Sequence, residues 1–343
     1  MQVGLVYDDI FLRHRPGDYH PERPERLVKI RERLAQEDLA PRVSWLAPRK
    51  ATKEEILWNH SEAHYERIAA TAGKPYVQLD PDTATSEDSF EAALYAVGAQ
   101  FVALDELFRE NFSSVFCLVR PPGHHAEYDQ AMGFCLFNNA ALAAHYALKV
   151  LKFSRILLVD WDLHHGNGTQ RSFYQHRKVL YFSTHQFPYY PGTGRLEEVG
   201  HGEGEGYTVN VPLPAGCGDA EYLAVFEEVL RPVARAFRPE LVIVSAGFDP
   251  HEDDPLGGMR VTSQGFGALA QVIKEVAEES AEGRLLLTLE GGYSLTGLAE
   301  SVARVIRVLS GDGKPEIRGE PSAKFREYLE DVKRFFSRYW PLS

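Results

Sequence analysis

A chain of 343 residues with 44% hydrophobic and 25% charged residues is long enough for one large α/β core and ordinary for a globular protein. Its formal net charge of −12 argues against a nucleic acid or an anionic membrane as the main partner and leaves room for a cationic substrate. Three scattered cysteines, Cys117, Cys135 and Cys217, do not make a disulfide scaffold, no apolar run reaches 18 residues, and the start MQVGLVYDDIFLRH lacks a signal-peptide pattern, so a cytoplasmic protein is expected.

The first apolar run is VGLVY (3–7). WNHSEAHYERI (58–68) then sets His60 and His64 four residues apart, on one face of a helix; without a third ligand this pair reads as structural. FEAALYAVGAQFVALDELF (90–108) has helical spacing and leads into the strand SSVFCLV (113–119). The helix NNAALAAHYALKVL (138–151) precedes the strands RILLVD (155–160) and KVLYFST (178–184). PGTGRLEEVGHGEGEG (191–206) is a glycine-rich loop near the site, and it lacks the strand-to-helix setting of a dinucleotide fingerprint. YTVNVPL (207–213), a helix over 220–237, ELVIVSAG (240–247) and RLLLTLEGG (284–292) complete seven strands. The last segment, within 321–340, has apolar residues at 325, 329, 332 and 336 and reads as an amphipathic helix packed on its own domain. A subunit contact in a homo-oligomer is the alternative use of that face. Near-continuous apolar strands alternating with helices predict one domain over 1–343, a parallel sheet covered on both faces.

In such sheets ligands gather beyond the carboxyl ends of the strands. Four strand ends here carry unusual chemistry: RPPGHH, DWDLHH, GFDPHEDD and EGGYS. Asp162 and His164, two residues apart at a strand end, point the same way. With Asp249 from another strand they offer two carboxylates and one imidazole, with a position left for water. That is a catalytic zinc arrangement, although Fe(II), Co(II) or Mn(II) would also suit the donors. A single Asp at a loop start is ordinarily a cap; three such ligands on strand ends point to a metal. His124 and His125 follow a Pro-Pro-Gly turn that can aim both rings into one cavity, where neutral imidazoles move protons. Asp160 is the candidate for fixing one tautomer. Tyr293, after Glu290-Gly291-Gly292, could donate to an oxyanion.

Taken together these motifs resemble the histone deacetylase family, and most closely its class II and bacterial amidohydrolase branch. The matching segments are HPERPERL (20–27), RPPGHHAEYDQAMGFCLFNNAALAA (120–144), VDWDLHHGNGTQ (159–170), HQFPYYPGTG (185–194), SAGFDPHEDDPLGG (245–258) and LEGGY (289–293), in the family's order. The resemblance covers roughly residues 3–310. It implies the arginase/deacetylase fold with eight parallel strands, one more than the seven read above. It implies one zinc ion per subunit on Asp162, His164 and Asp249. His124 and His125 would activate water, with His125 as general base and acid, and Tyr293 would polarise the acetyl carbonyl. Asp160 would orient His124. The partner of His125 is Asn167 where the class I pattern has Asp, so His125 is expected to be less basic. A structural potassium ion is implied at Asp160, Asp162, His164, Ser183 and Thr184, and Phe173, Val179 and Tyr207 match parts of a second site. Gly133, Phe134 and Tyr190 would line the substrate tunnel, and Asp82 would hold substrate amides at its rim.

Leu256 stands where a polyamine-selecting relative places Glu, which leans the reading to acetyl-lysine peptides over acetylated polyamines. The expected activity is zinc-dependent deacetylation of N-acetylated aliphatic amines. Two other readings are an arginase-like two-manganese hydrolase and a non-catalytic acetyl-lysine binding protein. The order D-W-D-L-H speaks against the first, and the phenol of Tyr293 speaks against the second.

Overall fold

The computed structural model describes residues 2–342 other than Lys314 and Arg318. Eight strands form one sheet: β1 (Val3–Val6), β2 (Val43–Leu46), β3 (Ser114–Cys117), β4 (Ile156–Asp160), β5 (Val179–Gln186), β6 (Thr208–Leu213), β7 (Leu241–Ala246) and β8 (Leu285–Leu289). All pair in parallel, in the order β2-β1-β3-β8-β7-β4-β5-β6. β1, β3, β4, β5, β7 and β8 are buried along their whole length, which explains why all of them but the polar second half of β5 read as nearly unbroken apolar runs. The helices Ser89–Phe108 and Asn139–Lys149 pack on each other, and Leu295–Leu309 packs on both Glu25–Leu34 and Ser263–Ser280. No helix among the described residues is long and apolar enough to cross a membrane.

Two local expectations change. The strand absent from the sequence reading is β2, a four-residue edge strand with Trp45 exposed, too short and too wet to stand out. The helix expected over 220–237 divides into Asp219–Val225, a π turn at Phe226–Leu230, and Arg231–Phe237. Pro232 has no N–H for the carbonyl four residues back and crowds it, so the ladder widens just ahead of it. The helix Ala323–Phe336 buries Phe325, Leu329, Val332 and Phe336.

The sheet order positions the site. β3, β8, β7 and β4 are adjacent and central, and the four chemically unusual loops all leave their carboxyl ends. Asp160 lies opposite Ser245 across β4 and β7, and Ala246 lies opposite Leu289 across β7 and β8. Segments far apart in the sequence therefore emerge side by side.

Candidate active site

Asp162, His164 and Asp249 converge, their ligand atoms all within 4.8 Å of one another. His164 Nδ1 lies 3.2 Å from Asp162 Oδ1 and 3.0 Å from Asp249 Oδ2. The remaining carboxylate oxygens are anchored by backbone: Leu163 N donates to Asp249 Oδ1 at 2.8 Å, and Gly291 N donates to Asp162 Oδ2 at 2.9 Å. Each ligand is thus oriented by a neighbour of fixed geometry. Gly291 is required here, because a Cβ at that position would run into both carboxylates.

The electrostatics of this cluster favour a cation. Both aspartates are buried. Burial and the Asp162 charge push Asp249 up to about 7. Burial pulls His164 down, but the two carboxylates outweigh it and raise the ring to about 9. Two buried carboxylates beside one imidazole are costly without a cation. The donor set, two carboxylate oxygens and one imidazole nitrogen, fits zinc.

His124 and His125 sit beside this cluster with ring centroids 4.0 Å apart. His124 Nδ1 is 3.1 Å from Asp160 Oδ2, and the Tyr181 hydroxyl donates to the same oxygen at 3.1 Å. Burial opposes charging of His124, yet Asp162 and Asp160 hold its pKa well above the ordinary value. His125 Nδ1 is 2.8 Å from Asn167 Oδ1. Burial and the neighbouring His124 and His164 hold His125 well below its ordinary value. The Asn167 hydrogen bond raises the pKa, and burial with the two imidazoles outweighs it.

Glu290 turns out to organise this turn, a role the sequence did not suggest beyond its place before two glycines. It accepts from Gly123 N at 2.6 Å, His124 N at 3.2 Å and Ser245 Oγ at 3.0 Å. Arg26 is a second such residue. Its guanidinium donates to the carbonyls of Gly292 at 2.7 Å and Glu290 at 2.6 Å, and lies 5.1 Å from the Tyr293 ring centroid. Glu22 holds Arg26 at 3.0 Å and also pairs with Arg120, so the HPERPERL segment buttresses the loop that bears the phenol. Burial keeps the Tyr293 phenol well above its ordinary pKa and therefore protonated, able to donate.

Of the remaining expected residues, Tyr190, Phe134 and Gly133 border the same centre. The Tyr190 ring stands edge-on to His125 at 5.2 Å and to His164 at 6.0 Å. Phe134 contacts Tyr293 at 5.9 Å, and a Cβ at Gly133, where φ is +55°, would overlap the His125 ring. Asp82 Oδ1 accepts from Gly133 N at 3.1 Å and from the Thr83 hydroxyl at 2.8 Å, so this carboxylate braces the backbone at Gly133. Leu256 is half-buried, and its carbonyl accepts from the Tyr189 hydroxyl at 2.7 Å. Tyr189, not singled out in the sequence, stacks on His164 at 5.7 Å. Ser183 Oγ is 2.9 Å from His185 Nδ1, and the buried Thr184 hydroxyl has no hydrogen-bond partner among the described residues. The carbonyls of Tyr207 and Phe173 accept from Tyr181 N and His176 N, both at 2.9 Å, and Val179 pairs with Ile156. His60 and His64 are spent on structure, with His60 Nδ1 2.8 Å from the Glu127 carbonyl and His64 Nε2 2.8 Å from the Leu136 carbonyl.

A histone deacetylase domain model matches residues 20–309 of this chain. The chain belongs to the histone deacetylase family. It is 38% identical to a probable deacetylase of Archaeoglobus fulgidus, over 99% of each chain. It is 39% identical to histone deacetylase HDA1 of Saccharomyces cerevisiae, over 99% of this chain and 53% of the yeast protein. The deacetylase fold is equally clear: the crystal structure of the HDA15 HD domain superposes with a TM-score of 0.92 and 39% identity, covering 99% of this chain and 96% of that one. The chain spans nearly the whole archaeal relative and little more than half of several plant and fungal histone deacetylases.

Proposed function

We propose that this deacetylase-family protein is a zinc-dependent amidohydrolase that removes acetyl groups from aliphatic amines, acetyl-lysine in peptides foremost. The observation that carries this is the placing of one imidazole and two carboxylates, all within 4.8 Å, beside the paired rings of His124 and His125. Asp162, His164 and Asp249 would hold the metal. Zinc, when bound, supplies a Lewis acid and lowers the pKa of water.

The chain's own groups divide the remaining work. His125, with Nδ1 engaged by Asn167 and a depressed pKa, is the ring free to take a proton at Nε2 and then return it to the leaving amine. His124, paired with Asp160, keeps its charge and steadies negative charge nearby. The Tyr293 phenol donates to the carbonyl oxygen as charge develops there. Tyr190 and Phe134 flank the aliphatic arm of the substrate and exclude water, with Asp82 at the rim. A potassium ion on Asp160, Asp162, His164, Ser183 and Thr184 is carried over from the resemblance.

Leucine at 256 places no charge to hold a distant ammonium, which favours peptide substrates over polyamines. A two-manganese reading lacks its second ligand set: among the described residues Asp162, His164 and Asp249 form the one metal-ligating group of three. The test is kcat/KM for an acetyl-lysine peptide beside N-acetylputrescine and N8-acetylspermidine, on zinc-loaded protein. Preference for the peptide is expected. Preference for the polyamines would overturn the assigned substrate, and no cleavage of any would overturn the deacetylase reading.

A further inference from the structure

Asn167 can present either end of its amide to His125, and the choice decides the chemistry of the ring. With Oδ1 facing Nδ1, the imidazole carries its proton on Nδ1 and leaves Nε2 as a bare acceptor. With the amide turned round, Nδ2 would donate to Nδ1, the proton would move to Nε2, and the base would be lost. The structure holds the first arrangement, with Asn167 Oδ1 2.8 Å from His125 Nδ1.

Asn167 Nδ2 meets three acceptors among the described residues. Glu127 Oε1 accepts from it at 2.8 Å, and the His125 carbonyl and the Met132 sulfur lie at 3.4 Å. The carboxylate makes the shortest and strongest of these bonds. Reversing the amide would set its carbonyl oxygen against the Glu127 carboxylate, two acceptors with no proton between them. We infer that Glu127 is a positioning residue that sets the tautomer of His125 through Asn167. The inference rests on the reading of His125 as the proton acceptor.

The position suits a clean test. The backbone of Glu127 is held independently, its carbonyl by His60 and its N–H by the Gln130 carbonyl. Its side chain lines a polar cleft of about 640 Å³ together with Asn167 and Arg171, so shortening it leaves no buried void. The other carboxylate oxygen is 3.7 Å from the largely exposed Arg171, a contact that restrains little.

The experiment compares zinc-loaded wild type, Glu127→Ala, Glu127→Gln, Asn167→Asp and the double variant Glu127→Ala/Asn167→Asp. Substitution of an outer support commonly costs 10–100-fold, so Glu127→Ala should lower kcat about tenfold with KM and bound zinc unchanged. Glu127→Gln, which keeps an acceptor in reach of Asn167, should lose less. An aspartate at 167 has no donating end to misplace, so in that background Glu127→Ala should not lower kcat, and relief of the carboxylate pair should raise it. In parallel, ¹⁵N spectra of the histidine rings should show His125 protonated at Nδ1 in wild type and as a mixture of tautomers in Glu127→Ala. An equal loss from Glu127→Ala in both backgrounds, or an unchanged His125 spectrum, would overturn the inference. If the wild type cleaves no acetylated amine, the hydrolytic reading falls, while the nitrogen spectra still decide the role of Glu127.

Discussion

Asp254 Oδ2 accepts the backbone N–H of Tyr293 at 2.6 Å, across 39 residues of sequence, and that of Ser294 at 3.1 Å. This carboxylate joins the loop after β7, which carries Asp249, to the loop after β8, which carries the phenol. Its other oxygen accepts from Leu256 N at 3.0 Å, so one side chain sets the relative positions of the proposed metal ligand Asp249, the proposed oxyanion donor Tyr293 and Leu256.

Tyr293→Phe should lower kcat about 10²–10³-fold, the usual worth of one oxyanion donor. Asp254→Ala should also lower kcat, by less, with zinc retained. If Asp254 acts through Tyr293, the two losses should not add: in the Tyr293→Phe background Asp254→Ala should cost little further. Steady-state kinetics on the four proteins, with bound zinc measured alongside, checks both statements. Full additivity would detach Asp254 from the phenol.

Asp162→Ala should abolish stoichiometric zinc, read by elemental analysis of the purified protein. Chelation of the wild type should lower Tm, and added zinc should restore it, since a ligand at 100 times its Kd stabilises by about 2.7 kcal/mol. Retention of one zinc by the variant would mean that the ligand set is wrong.

Glu22 offers a pH dependence away from the metal. Burial alone would raise its carboxyl, but Arg120 and Arg26, with His14 at 3.4 Å, hold it well below the ordinary value. A carboxyl depressed by folding adds stability above its unfolded pKa, about 4.3, and loses that contribution as pH falls through the folded value. His14, buried and lowered by that burial, drives stability in the same direction as it is forced to charge. Glu22→Gln leaves two buried guanidiniums short of a partner and should cost about 3–5 kcal/mol at neutral pH. The gap to wild type should narrow as Glu22 protonates in acid. Urea unfolding of both proteins across a pH series measures this; a gap independent of pH would show that the charge is not its source.

Leu256→Glu should shift kcat/KM towards N8-acetylspermidine relative to the acetyl-lysine peptide. The shift should be about fivefold, one partly exposed ion pair being worth up to about 1 kcal/mol. The backbone of Leu256 is held by Asp254 and Tyr189 through atoms that the substitution leaves alone. An unchanged ratio would remove position 256 from substrate choice.

Residue types at strand ends were readable without coordinates. Unbroken apolar strands such as Ile156–Asp160 and Leu241–Ala246 announce a covered parallel sheet, and the Asp and His that follow them have little bland use at such a place. What has a short sequence signal, or one half polar, was lost: β2 is four residues with Trp45 exposed, and Pro232 breaks the ladder of an otherwise regular helical pattern.

The tertiary structure alone decided which of these groups meet. The order β3-β8-β7-β4 is not the order of the chain, so no local pattern says that Glu290 will cap the turn at Gly123 or that Arg26 will hold the carbonyls beside Tyr293. The sense of the Asn167 amide is likewise invisible in a string of letters, because it depends on Glu127, forty residues away, offering an acceptor at 2.8 Å. Hydrogen bonds act over about 3 Å of space, and only the folded chain says which distant residues that short range connects.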